Sequence, residues 1–391
     1  MAGDSIMRQE PRKATLEEAR AVRGNQIAQI EGAVRRVADD LYFVKSQSHD
    51  EWYEVASTEA GWFCSCKDHA FRGVKCKHIF AVELSYALRQ TVQRQVKIGP
   101  VGMQTCLFCY SKNLVKDGLL HNKGGDIQRW LCRGCGKRFT NNLGFEGMRA
   151  KPEAITLAMQ TYFGGSSLRN TQKVLALQGV KVSHVAILGW LRKYVRIMGN
   201  YLDQIQPNLS PTWADELWIK VKGDMKYLFS MMDDQTRFWI AQEVADTKER
   251  HDARSLFHKS AEVAGKVPSL LITDGLKSYE EAARKEFQSN HGNSRPIHIK
   301  DIALAGKIHN NKMERMNGEV RDREKTMRGL KTVNSPIIKG MQLYHNYIRP
   351  HEGLNGDTPA DRVGIKIEGD DKWLTIIQNA KHAELDGESH A

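Results

Sequence analysis

The sequence predicts a multidomain chain of mixed α+β and α/β character: two small cysteine modules, then a helical segment, then a larger domain of strands and helices. Three observations predict this. The seven cysteines fall in two clusters between residues 64 and 135; short helical patterns separated by glycines fill residues 151–200; beyond Pro211, β-prone runs alternate with helical ones. At 391 residues the chain has room for about two to four folded units.

Charge narrows the class of partner. Lysine and arginine number 58 against 46 acids, a formal charge of +12, so a polyanion is expected. The excess is concentrated. From Gly147 to Asn200 there are eight basic residues (Arg149, Lys151, Arg169, Lys173, Lys181, Arg192, Lys193, Arg196) and one acid, Glu153, which makes this stretch the candidate for phosphate contact. No apolar run approaches the ~20 residues that span a bilayer, and the start, MAGDSIMRQEPRK, lacks the apolar core of a secretory signal. A cytoplasmic protein is expected.

Residues 1–30 read as a polar N-terminal arm. In residues 31–98, the runs LYFV, EWYEV and GWFC predict a small antiparallel sheet leading into cysteines, closed by a helix from His78 to Arg89. Cys64-x-Cys66, nine residues, then Cys76-x-His78 offer three thiolates and an imidazole, the ligand set of a closed structural zinc site. His69 is the alternative nitrogen ligand. This arrangement resembles the SWIM zinc finger.

After a hinge at Gly99, Pro100 and Gly102, residues 103–140 form a second module. Cys106-x-x-Cys109 and Cys132-x-x-Cys135, 22 residues apart, are two knuckles able to close a tetrahedron around Zn²⁺, a four-cysteine zinc ribbon. Seven basic residues against two acids let it serve as a structural clip or ride on phosphate as well. The two sites use all seven cysteines, leaving no thiol for nucleophilic catalysis. With seven thiolates and two zinc ions bound, the +12 of the bare sequence falls to about +9.

Residues 150–200 read as a helix-turn-helix DNA-binding domain, with breaks at Gly164-Gly165 and Gly179-Val180-Lys181 and Ser183 as an N-cap. In that geometry Ser183 and His184 face base edges, Arg192, Lys193 and Arg196 meet phosphates, and Val185, Leu188, Leu191 and Val195 pack inward. A three-helix bundle that only braces its neighbour is the alternative.

Residues 208–365 carry the candidate catalytic acids. In TWADELWIKVKG, alternation puts Asp215 on the face of Trp213, Leu217 and Ile219, a costly place for a carboxylate unless it is paired or binds a metal. Asp274 ends the apolar run SLLIT before Gly275, at the carboxyl edge of a buried strand. Glu314 lies near the start of a helix, where its spacing from Asn311 also fits a capping box. Arg321 shares its face and Lys325 follows a turn later, a basic row suited to a phosphate backbone. Asp233 and Asp234 are rival acids, better explained by a hairpin turn. Residues 366–391 read as a C-terminal tail, acidic through Glu368, Asp370, Asp371, Glu384, Asp386 and Glu388.

Asp215, Asp274 and Glu314, separated by 58 and then 39 residues, resemble the Asp-Asp-Glu triad of prokaryotic insertion-sequence transposases. The words WADELWIKVKG, MMDDQTRFW, TDGLKSY, NNKMERMNGEVRDREKTMRGLK and YHNYIRPHEGLNGDTPA look like that family across residues 150–365. The second gap is slightly longer than in close relatives, and the SWIM-like module is not a general part of such proteins. The resemblance implies a ribonuclease H-like catalytic domain in which Asp215, Asp274 and Glu314 hold two Mg²⁺ or Mn²⁺ ions. It also implies cleavage and strand transfer at the ends of a mobile element, by an oligomer on double-stranded DNA, acting at the nucleoid. A non-catalytic, transposase-derived DNA-binding regulator is the alternative.

Overall fold

A computed structural model describes residues 15–37, 41–58, 61–91, 95–102, 104–122, 125–140, 142–210, 212–217, 227–247, 249–268, 270–273, 277–289, 296–299, 311–327 and 336–389. Its contacts divide the chain into two compact units. One comprises Met1–Arg94, Asn208–Lys220 and Met225–Glu319; the other comprises Gln95–Pro207, Val221–Asp224 and Val320–Ala391.

In the first unit, α1 (Leu16–Ala28) opens with a capping box between Thr15 and Glu18. Strands β1 (Val34–Arg36), β2 (Leu41–Lys45), β3 (Trp52–Thr58) and β4 (Gly61–Cys64) form the expected antiparallel sheet in sequential order. Short α2 (Lys67–Arg72) and α3 (Lys77–Thr91) follow. Within the N-terminal arm, the described residues form a helix held in place: α1 packs on α3, and Arg20 Nε lies 2.7 Å from Asp68, which also takes Arg72 at 2.6 Å. At Gly24 the helices touch so closely that a Cβ would sit 2.8 Å from the Lys77 carbonyl oxygen.

In the second unit, β5 (Val96–Ile98) precedes the ribbon β6 (Leu114–Asn122), β7 (Gly125–Cys132) and β8 (Arg138–Thr140), a three-stranded antiparallel sheet. Three helices follow: α4 (Pro152–Phe163), α5 (Leu168–Leu177) and α6 (His184–Leu202). Ser167 and Ser183 cap the last two through backbone N–H groups of Asn170 and Ala186, which fixes the turn expected at Gly179–Lys181.

The mixed domain returns to the first unit. Strands β9 (Thr212–Leu217), β10 (Tyr227–Asp233), β11 (Trp239–Ala245), β12 (Leu270–Ile272) and β13 (Ile297–Ile299) make one sheet in the order β11-β10-β9-β12-β13. The first three strands are antiparallel, and β12 runs parallel to both β9 and β13. Helices α7 (Arg250–Ala264) and α8 (Lys277–Ser289) belong to this region, as does α9 (Asn311–Met327) as far as Glu319. The fully buried rings of Phe229, Phe257, Tyr279 and Phe287 join α7 and α8 to the sheet at centroid distances of 5.5–6.0 Å. Each such ring stabilises the packing by about 1.5–3 kcal/mol.

The C-terminal residues are α10 (Pro336–Leu343), α11 (Pro359–Arg362), β14 (Ile365–Ile367) and α12 (Lys372–Ser389). What reads as an acidic tail is woven into the second unit. β14 pairs in parallel with β5, α12 packs on α4 and α6, and Trp373, Ile376, Ile377 and Ala380 are buried. Every third or fourth residue of α12 is therefore apolar, the stripe that a core-facing helix requires. No helix among the described residues is long and apolar enough to cross a membrane.

Candidate metal centres and active site

The ligand atoms of Cys64, Cys66, Cys76 and His78 all lie within 4.8 Å of one another, as do those of Cys106, Cys109, Cys132 and Cys135. The first set converges because β4 ends at Cys64 while Cys76 and His78 stand where α3 begins. His78 Nδ1 sits 3.8 Å from Cys64 Sγ and 3.9 Å from Cys76 Sγ. Its ring lies 4.5 Å from that of Tyr53, and its buried Nε2 has no hydrogen-bond partner. His69, the other nitrogen considered, instead faces the Val74 carbonyl at 2.8 Å. In the ribbon, Cys106–Cys135 and Cys109–Cys132 sulfurs are 3.6 Å apart.

These spacings decide between chemistries. A disulfide needs about 2.05 Å between sulfurs, whereas Zn–S bonds of about 2.3 Å at tetrahedral angles place sulfurs about 3.8 Å apart. The ribbon sulfurs match the edge of a zinc tetrahedron, and the first set gathers its three sulfurs and one ring nitrogen within 4.8 Å of one another, close enough to share one ion. Electrostatics agree, because packed thiols do not ionise together without a cation. Hydrogen bonds from Cys64 and Cys76 hold Cys66 far below the usual thiol range, and the same bond with Cys66 pushes Cys64 far up. In the ribbon, burial works against ionising Cys132, yet N–H groups of Cys135 and Gly134 bring it down to about 6, while Cys109 rises to about 12.

The carboxylates are placed by backbone register. Asp215 lies on β9 opposite Met231 of β10. The last β9–β12 pair is Ala214 with Ile272, so Asp215 is the next residue on its strand, and Asp274 follows Ile272 by two positions in the sequence. Asp274 itself lies outside the described residues, as do the side chains of Asp215 and Glu314; Glu314 belongs to the first turn of α9. Between Ile272 and Asp274, Thr273 is fully buried and shares a 2.9 Å hydrogen bond with His298 of β13.

Asp233 is a hairpin residue. It is fully buried, its Oδ1 accepting from the N–H groups of Gln235 at 3.0 Å and Thr236 at 2.8 Å, and its Oδ2 accepting from Ser210. Asp234 accepts from Gln29 at 3.0 Å.

On α6, Ser183 accepts from the Ala186 N–H at 3.1 Å, His184 is half-buried, and Arg192 and Arg196 are exposed. Lys193 is drawn in, with Nζ 3.5 Å from Met148 Sδ and 5.1 Å from the centre of the Tyr194 ring. Leu191 and Val195 are buried as expected, but Val185 is 64% exposed. The true inward stripe is Ile187, Trp190, Leu191, Tyr194, Val195 and Met198, because α10 and α12 cover that side. On α9, Arg321 is exposed and the Lys325 side chain lies outside the described residues. A basic residue that the sequence reading missed, Arg323, is buried and donates to the Tyr162 carbonyl. It closes the end of α4 and is not available to a phosphate.

Residues 211–351 match the family model of a DDE domain, and residues 55–87 match that of the SWIM zinc finger. The chain is similar to the transposase for insertion sequence-like element IS431mec of Staphylococcus aureus strains Mu50 and N315, at 23% identity over 224 residues, 55% of this chain and 94% of the relative. It is similar to the same extent to the transposase for insertion sequence element IS257 in transposon Tn4003 of Staphylococcus aureus, with 23% identity over 224 residues. The first match spans Asp215, Asp274 and Glu314, and the second spans the Cys64–His78 set.

Proposed function

With an insertion-sequence-type DDE domain and a SWIM zinc finger as the premise, we propose that this protein is a transposase that binds the ends of a mobile element, cuts there and joins the cut strand to target DNA. The observation that carries the reading is the parallel pairing of β9 with β12 at the centre of the sheet. It brings the strand bearing Asp215 beside the strand that leads to Asp274, inside the matched segment. Three antiparallel strands followed by two parallel ones, β11-β10-β9-β12-β13, support a ribonuclease H-like core.

Three carboxylates are a hard-oxygen donor set suited to Mg²⁺ or Mn²⁺. Asp215, Asp274 and Glu314 would hold two such ions, whose chemistry is to lower the cost of charge on attacking and leaving oxygens in phosphodiester displacement. The chain's own groups place the DNA. Arg192 and Arg196 on α6, and Arg321 with Lys325 on α9, position the phosphate backbone, while Ser183 and His184 lie at the base-reading end of α6. In the first step water attacks the scissile phosphorus and the P–O3′ bond breaks, freeing a 3′ hydroxyl and leaving a 5′ phosphate; in the second, that hydroxyl attacks a target phosphorus and expels the target strand's own 3′ oxygen, so one phosphodiester forms as another breaks. The two cysteine sets hold zinc as structural clasps. Holding two element ends together calls for a dimer or larger assembly, at work on DNA in the cytoplasm.

Purified protein incubated with duplexes carrying its flanking inverted repeats and Mg²⁺ or Mn²⁺ tests the reading. Wild type cleaves and joins, and Asp274→Asn does neither. Equal cleavage by both proteins sinks the assignment of the site. Cleavage without joined product identifies a nuclease. Binding without cleavage by wild type identifies the non-catalytic regulator.

A further inference from the structure

Helix α6 contains two glycines, and the fold accounts for one of them. At Gly199 a Cβ would stand 3.2 Å from Lys339 Cε, where α10 crosses. At Gly189 a Cβ would meet nothing within 4 Å among the described residues, and its φ is not in the left-handed region. Glycine in a helix interior weakens the helix relative to alanine, so position 189 carries a cost that no contact among the described residues and no backbone conformation explains.

The surroundings of Gly189 say what does. At about 100° per residue, Val185, Arg192 and Arg196 lie within about 60° of Gly189 around the helix, and all of them are exposed. Val185 is 64% exposed, and α6 carries no acidic residue. Beside this face runs a groove of about 920 Å³ lined by Arg149, Lys151 and Lys181, together with Ala186 and Trp190 of α6 and the single acid Glu153. The face therefore pairs one apolar branch and one missing side chain with a rim of cations. That pattern is complementary to a DNA major groove, where thymine methyls are the apolar features and phosphates line both edges.

We propose that Val185 and Gly189 are specificity determinants of end recognition. The absent side chain at 189 lets α6 approach base edges closely, Val185 contacts a thymine 5-methyl group, and Arg192 with the groove cations grips the flanking phosphates. The proposal rests on the transposase reading and deepens it.

The test uses the full-length, zinc-loaded protein, with fluorescence anisotropy on a duplex of the element end and on a shuffled duplex of equal length. Wild type prefers the end duplex. Gly189→Ala raises the thermal midpoint by a few degrees, yet lowers end-duplex affinity by about tenfold or more and shuffled-duplex affinity much less. Val185→Ala, or deoxyuridine in place of thymidine, each reduces the preference by about threefold or more. Combined, they do no more than either alone.

A Gly189→Ala protein that binds the end duplex as wild type does, or that melts earlier, overturns the proposal. So does unchanged DNA affinity with an altered oligomeric state, which would assign the face to a second copy of the chain. If wild type fails to distinguish the two duplexes, end recognition itself falls and this inference with it. If wild type distinguishes them and Gly189→Ala does so to the same degree, only this inference falls.

Discussion

Replacing Asp233 by asparagine separates a buried structural acid from the proposed catalytic ones. The carboxylate is fully buried and accepts three backbone N–H groups, those of Gln235 and Thr236 on one oxygen and that of Ser210 on the other. Asparagine keeps one acceptor oxygen. If that oxygen stays with Gln235 and Thr236, the amide NH₂ is turned toward the Ser210 N–H, and two buried donors lose their partner. At about 1–3 kcal/mol for each unsatisfied group the cost is about 2–6 kcal/mol, or roughly 5–20 °C in the melting midpoint of a domain this size. Calorimetry reads the midpoint, and divalent-ion-dependent strand cleavage at a low permissive temperature reads the chemistry. Asp233→Asn melts early and still cleaves, whereas Asp274→Asn melts like wild type and does not cleave. An Asp233→Asn protein of unchanged midpoint that has lost cleavage would refute the reasoning, because Asp233 would then serve the reaction and not the hairpin.

Other perturbations test other parts of the fold. Cys132→Ser removes one tetrahedral clasp; zinc content by mass spectrometry falls from two ions per chain to one, and the ribbon loses protection from hydrogen exchange. Gly24→Ala forces a Cβ to 2.8 Å from the Lys77 carbonyl oxygen, so the module built on α1 and α3 is destabilised by about 1–3 kcal/mol, read by limited proteolysis. The Arg254–Glu286–His258 cluster, with contacts of 2.9 and 2.8 Å, makes stability depend on pH. Burial alone would raise Glu286, but Arg254 and His258 hold it below its ordinary 4.5, and Glu286 raises His258 above its ordinary 6.5. The Glu286 contribution is present above about 4.5 and lost as pH falls through the lower folded value. The His258 contribution is present below about 6.5 and lost as pH rises through the higher folded value. The melting advantage of wild type over His258→Gln is therefore greatest near pH 5–6 and shrinks by pH 8; a flat difference across that range would contradict the assignment.

What the sequence by itself determined is what local spacing encodes. Two cysteines flanking one residue, or two, have few ways to face each other except around a metal, so both ligand sets were legible before any fold was known. The three helices of residues 151–200 and the Ser183 cap were legible for the same reason: period and hydrogen-bond reach act over a few residues.

Tertiary structure decided which neighbour covers each element. Val185 has the helical spacing of an inward residue, and only the packing of α10 and α12 on the other side of α6 turns it outward. The acidic C-terminal segment reads as a tail because its charges are conspicuous, but Trp373 and Ile377 bury it against α4 and α6. His78 rather than His69 joins the thiols because α2 turns His69 toward Val74. Burial is a property of pairs of elements distant in the chain, and no single stretch of residues contains it.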